Sequence, residues 1–227
     1  MRINNQDVFG WKNAIIGMRY SFDSENAMDS IFAHDNFRCG SDDIAFTNGC
    51  ILGKKDLKLM LGLIRGGSPH RKYLRAIHIQ LSAKMTMTWW KQYDTYKIAT
   101  TGLSRSTMHT ITKRELKQTD FAPSIVTPAL ESLIAHINEL IVFYNNLKTY
   151  PRANPEDMKK LFNEIVDLLP GCYLQERMLD FNYETALNII SQRENHKLSN
   201  EWELFSNALL ELPYMQTFYL EGIKGKK

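Results

Sequence analysis

The segment that most limits how this chain can fold begins at Thr127-Pro128 and runs to residue 147. A threonine hydroxyl can accept a bond from a free N–H at a helix start, and proline in the next position gives up no hydrogen bond there. Leu130, Leu133, Ile134, Ile137, Leu140, Ile141, Tyr144 and Leu147 then recur at steps of three and four. That spacing predicts an amphipathic helix of about twenty residues whose stripe must be covered by apolar partners, a spine for the domain. His136, which falls within this stripe, and Asn138 and Glu139 interrupt the run, so it falls short of the roughly 20 apolar residues of a membrane span. A chain of 227 residues, 44% hydrophobic and 23% charged, can bury a full core and is expected to form one domain over residues 1–227.

Other elements can be read around this spine. Residues 13–20 alternate weakly and are rich in Ile and aromatic side chains, which suggests a short strand, while the polar, Asp-rich stretch 21–49 reads as loop. Leu57, Met60, Leu61 and Ile64 predict a helix over 56–64, stopped by Gly66-Gly67 and Pro69. Ile77, Ile79 and Leu81 alternate with His78, Gln80 and Ser82, so residues 75–84 read as a strand with one buried face. Thr86 can cap a helix reaching about residue 96. Residues 98–110, rich in Ser, Thr and Gly, read as a binding loop. Asn154-Pro155, followed by Glu156 and Asp157, opens a helix that ends before Pro170. Asn182 caps another to residue 193, and Asn200 with Glu203 resembles a capping box for a last one. Strands and helices are mixed without regular βαβ alternation, which predicts an α+β fold with a small mixed sheet and a long-helix bundle.

Charge is unevenly distributed. Residues 54–117 hold 14 Lys and Arg against Asp56, Asp94 and Glu115, a net +11, whereas the whole chain is only +3. A cationic third of this kind attracts phosphates, and it is equally consistent with a solvated basic surface. The N-terminus lacks the features of a secretory signal, and the three cysteines, Cys39, Cys50 and Cys172, form no CxxC pair. Both facts lead to the expectation of a cytoplasmic protein with reduced thiols. The dinucleotide, P-loop, zincin and hydrolase-elbow motifs are absent. The six histidines suggest no metal set, and His78 and His136 read as packing or hydrogen-bonding residues. Trp89-Trp90 reads as an anchor for the core or a subunit contact, with a stacking surface for a base or flavin as the other reading.

Two segments, 75–109 and 168–204, together resemble the flavin-dependent thymidylate synthase family, which methylates dUMP using FAD, a reduced nicotinamide cofactor and methylenetetrahydrofolate. The family pattern RHRxxSxNxxSxRY falls here on Thr95-Tyr96-Lys97-Ile98-Ala99-Thr100-Thr101-Gly102-Leu103-Ser104-Arg105-Ser106-Thr107-Met108-His109. Gln92 and the preceding strand keep the spacing. Arg-His-Arg becomes Thr95-Tyr96-Lys97, and the closing Ser-x-Arg-Tyr becomes Ser106-Thr107-Met108-His109 with one extra residue in the loop. Planar bidentate phosphate partners are thereby lost, and Arg105 is the available substitute. The second segment keeps Leu169-Pro170, then Asn182, Asn188 and Arg193, then Trp202-Glu203-Leu204, but puts Glu184 where the family has arginine. The run from Trp89 to Lys97 is similar to a diverged branch of the same family.

The resemblance implies a site and a function. Gln92, Thr95, Tyr96, Lys97, Asn182 and Asn188 would bind FAD, with Tyr96 stacked on a ring. Lys97, Arg105, Ser106 and His109 would hold phosphates. Arg193 would be the catalytic residue, hydrogen-bonded to the uracil and stabilising negative charge that develops on the ring. On a helix, positions 182, 186, 189, 190 and 193 share a face, so the set is compatible with one pocket. NADPH and methylenetetrahydrofolate would be the other cofactors, the partner a second copy of the chain in a homotetramer, with no metal, membrane or nucleic acid. The alternatives are a catalytically inactive protein that binds or sequesters a nucleotide, and an assembly protein whose similar face is a subunit interface.

Overall fold

A computed structural model describes residues 1–32, 50–122 and 127–226. Cys39 and the part of the expected loop region over 33–49 lie outside the described residues. Strands β1 (Arg2–Phe9), β4 (His78–Thr86), β6 (Leu174–Asn182) and β5 (Thr100–Ser104) form a sheet in the order β1-β4-β6-β5, and β2 (Ile31–Phe32) pairs antiparallel with β3 (Cys50–Ile51). The helices are α1 (Trp11–Tyr20), α2 (Lys54–Arg65), α3 (Met87–Tyr93), α4 (Thr107–Thr110), α5 (Pro128–Thr149), α6 (Pro155–Asp167), α7 (Tyr183–Arg193), α8 (Ser199–Leu210) and α9 (Met215–Thr217). The fold is α+β, with a small sheet among many helices. Among the described residues no helix is long and apolar enough to cross a membrane.

The chain divides into two compact units, the first of residues 1–2, 83–96 and 103–178, the second of residues 3–82, 97–102 and 179–227. In the first, the long helix takes the form its sequence dictates. Thr127 caps α5 by accepting from Leu130 N–H, and Leu130, Ile134, Ile137 and Ile141 are buried. They pack with Leu161 and Ile165 of α6 and with Ile111, Leu116 and Phe121 into one apolar cluster. His136 is exposed and stands outside that stripe. Trp89 and Trp90 of the same unit are both fully buried, so they are interior anchors. Trp89 stacks on Tyr93 at 5.1 Å, and Trp90 Nε1 donates to the Gln175 carbonyl at 2.9 Å.

In the second unit, residues 11–20 form a helix where the sequence suggested a strand. The aliphatic pair Ile15-Ile16 looks extended locally, but Trp11, Ala14, Ile15 and Met18 are the buried set, and their spacing is helical. Gly10 opens α1 with φ at 96°, and a Cβ there would run into the carbonyl oxygen of Ala76. Trp11 meets Tyr183 edge-on at 5.2 Å and Tyr214 at 5.7 Å. α1 and α7 both pack on a short 3-10 helix, Lys72–Ala76, whose last two residues fall where the sequence reading began the strand. A π-helical turn, Phe218–Ile223, packs against α2 through Gly222 and Ile64.

Three further expectations are corrected. The Ser/Thr/Gly-rich loop over 98–110 contains β5 and α4. α8 starts at Ser199 behind Leu198, with no side-chain cap, so Asn200 and Glu203 lie within the helix. α3 ends at Tyr93, three residues short of the expected end.

Candidate functional site

In the second unit the site begins where β6 becomes α7. Asn182 is 4% exposed, and its Oδ1 accepts from Thr185 N–H at 2.9 Å, so the asparagine caps the helix. Ala186, Ile189 and Ile190 are buried on the same face, which therefore packs into the core. Arg193 stands at the far end of this face with its guanidinium 4.5 Å from the centre of the Trp202 ring on α8. Thr185 Oγ1 donates to the Ile98 carbonyl at 3.5 Å, which brings the turn holding the exposed Lys97 against the start of α7.

Glu184, the position that departs from the family pattern, is 6% exposed and has a partner that its own helix does not supply. Arg71 Nε lies 2.9 Å from Glu184 Oε2, and Arg71 NH2 donates to Asn188 Oδ1 at 3.0 Å. Ser68 Oγ donates to Glu184 Oε1 at 3.0 Å. An isolated carboxylate at this depth is costly, and the guanidinium together with the hydroxyl compensates it. Asn188 is held within this network.

In the first unit, Thr86 caps α3 by accepting from Trp89 N–H, and Gln92, Thr95 and Tyr96 follow at its end. Thr95 Oγ1 donates to the Gln92 carbonyl at 2.7 Å. Burial, and next the neighbouring Asp94, push the Tyr93 hydroxyl well above its ordinary range. Arg177 lies over Trp90 at 4.3 Å and donates to Asp94 Oδ1 at 2.7 Å.

The same unit contains a cleft of about 120 Å³ whose charged lining is Arg2, Lys84, Arg105, Arg114, Asp120 and Glu176. Glu176 bridges Arg2 at 2.8 Å and Arg105 at 2.9 Å. Asp120 accepts two bonds from Arg114, each 2.7 Å, and one from Lys117 N–H, while Lys84 Nζ stands 4.0 Å away. The hydrogen bond from Arg2, followed by the charges of Arg105, Arg2 and Lys84, holds the Glu176 carboxyl below its ordinary value against a cost of burial. Burial alone would raise Asp120, but the Arg114 fork, Lys117 N–H and the charges of Arg114 and Lys84 outweigh it and leave the net direction downward. Tyr173 also lines the cleft. Burial and then Asp120 push its hydroxyl up, against the pull of Arg114 and Arg105, so it keeps its proton.

Each residue implied by the resemblance can now be placed. Gln92, Thr95, Tyr96, Arg105, Ser106 and His109 belong to the first unit, and Lys97, Asn182, Asn188 and Arg193 to the second. Arg105 lines the cleft, whereas Ser106 caps α4 by accepting from His109 N–H at 3.3 Å. Sequence reasoning missed Arg2, Arg71, Lys84, Arg114 and Tyr173. The cationic third of the chain did contain Arg71, Lys84, Arg105 and Arg114, but periodicity could not say which of its charges converge. His78 pairs with Asp180 at 3.1 Å and stacks on Phe9 at 5.5 Å, and Cys50 is buried, its thiol pushed up to about 12 by burial and then by Asp56. Another cavity, of about 400 Å³ between α1 and the 3-10 helix, is lined by Met18, Phe22, His70 and Tyr73 among others, and by none of the implied residues.

No protein-family model matches the chain, and no curated protein does. Solved structures do. A crystal structure of the flavin-dependent thymidylate synthase ThyX from Helicobacter pylori, complexed with FAD and dUMP, matches with a TM-score of 0.66 at 13% identity over 99% of both chains. A second structure of the Helicobacter pylori enzyme with FAD and dUMP gives 0.66 at 12% identity over 100% of both. An end-to-end match at so low an identity is a likeness of backbone, and it establishes that this chain has the fold of the flavin-dependent thymidylate synthases.

Proposed function

We propose that the chain binds FAD and a pyrimidine nucleotide of the dUMP class, for reductive methylation or a related modification at C5 of the ring. The observation that carries this reading is the full-length match to proteins whose structures hold FAD and dUMP. In this reading Arg193 is the catalytic residue. Its guanidinium is restrained by the cation–π contact with Trp202, and in this reading it hydrogen-bonds a ring carbonyl and stabilises negative charge developing there. Arg105 and Lys97, with Ser106 and His109 on the same stretch of chain, serve the phosphates.

The residues fit a flavin in part. Thr95 and Lys97 are exposed and Gln92 and Tyr96 half-buried, as a bound ring system and its phosphates require. Asn182 Oδ1 caps the helix and Asn188 Oδ1 accepts from Arg71, so in this reading the two side chains would meet a flavin through their amide N–H groups. A bound flavin supplies the electron pair for reduction, NADPH its renewal and methylenetetrahydrofolate the carbon, all three on the strength of the resemblance. The protein's own share is to bind, orient and supply charge. Assembly as a homotetramer belongs to the same reading.

The Arg71–Glu184–Asn188 network specifically favours a second reading, a nucleotide-binding or sequestering protein on the same fold without turnover. Purified full-length protein separates the two. A yellow preparation that releases FAD on denaturation and is stabilised thermally by dUMP supports the first, and Arg193→Ala should abolish the dUMP effect while leaving the fold intact. Colourless protein stabilised by dUMP supports the second. Protein that is colourless and indifferent to dUMP overturns both.

A further inference from the structure

We infer that the cleft between Lys84, Arg105, Arg114 and Tyr173 is a binding site for a phosphate group. The charges of the cleft do not balance. Four cations, Arg2, Lys84, Arg105 and Arg114, face two carboxylates, Asp120 and Glu176, which leaves two positive charges for a dianion to neutralise. The arrangement is layered. Asp120 and Glu176 have side chains only 8% and 20% exposed, while those of Arg105 and Arg114 are 67% and 57% exposed. The acids, with Lys84 at 25% exposure beside them, form the floor and orient the arginines that form the rim. Each guanidinium carries five N–H donors, more than one carboxylate contact consumes, so the rim keeps donors of the geometry that phosphate oxygens take.

Uncharged donors add to this. Tyr173 presents a protonated hydroxyl and Thr107 lines the cleft from α4 with another, while Thr110 Oγ1 already donates to the Ser106 carbonyl at 2.7 Å. Size sets the ligand class. Sites for drug-sized molecules run to about 300–1,000 Å³, so a cleft of about 120 Å³ takes a phosphate group and leaves the rest of its carrier outside. Inorganic phosphate and the 5′-phosphate of a nucleotide share this chemistry. The inference rests on the nucleotide reading only for the identity of the carrier.

Calorimetry on the full-length protein with inorganic phosphate, dUMP and deoxyuridine tests it, alongside Lys84→Met, which keeps the apolar stem, and Tyr173→Phe, each verified as folded by its thermal transition. Phosphate should bind to the wild type, weaken as salt is added, and lose about tenfold in affinity in Lys84→Met, the effect of one charge-assisted bond. Competition by dUMP but not by deoxyuridine identifies the carrier as the nucleotide. Phosphate that binds in a Lys84- and Tyr173-dependent way without competition from dUMP keeps the cleft and removes the nucleotide from it. Absence of phosphate binding, or binding unchanged in both variants, overturns the inference, and dUMP stabilisation that persists in both variants then leaves the nucleotide reading standing without this cleft.

Discussion

Glu184 shows how a single side chain can redirect a site. At 6% exposure it needs a positive partner, and Arg71, 8% exposed, provides it from the turn before the 3-10 helix. Removing one member of a buried pair leaves the other charge uncompensated, which typically costs 3–5 kcal/mol. Glu184→Ala should therefore destabilise the protein by about 3 kcal/mol in urea unfolding. The exchanged pair, Arg71→Glu with Glu184→Arg, should recover more than half of that loss, whereas two independent defects would add. The sequence marked position 184 as unusual, but nothing near Glu184 or Arg71 in the chain indicated the other. Long-range ion pairs leave no periodic signal, and the same reason hid the convergence of Arg2, Lys84, Arg105 and Arg114.

At the scale of elements, legibility followed capping chemistry. Thr86, Thr127-Pro128, Asn154-Pro155 and Asn182 each start a helix where the sequence placed one, because a cap is a local contact between a side chain and the next turn. Asn182→Ala should cost about 1 kcal/mol in thermal or urea unfolding even without flavin, which distinguishes a cap from a residue that acts only through a cofactor. Strands were harder to read. β4 alternates cleanly and was legible, but β1 is exposed at all but two of its eight positions and β6 has a half-buried middle, so neither shows a period of two. α1 was misread because Ile15-Ile16 resembles a strand over a short window, and only Trp11 and Met18 at the ends reveal the helical spacing.

For the molecule as a whole, the charge map translates into a pH dependence. Asp120 and Glu176 titrate below their ordinary 3.8 and 4.5 in the folded state. A carboxyl with a depressed folded value stabilises the protein above its unfolded value, and the contribution is lost as pH falls through the folded one. The share of the urea midpoint that these two carboxyls supply should therefore be constant near neutrality and be lost once pH drops below about 4.5, with a smaller loss in Arg114→Gln, which removes the fork holding Asp120. The overall architecture was anticipated because its class follows from the mixture of elements, whereas the site depends on which distant charges meet. With its left-handed angle and the Ala76 carbonyl occupying the place of a first side-chain carbon, codon 10 has no neutral alternatives, and a saturation library screened for folded protein should return glycine there alone.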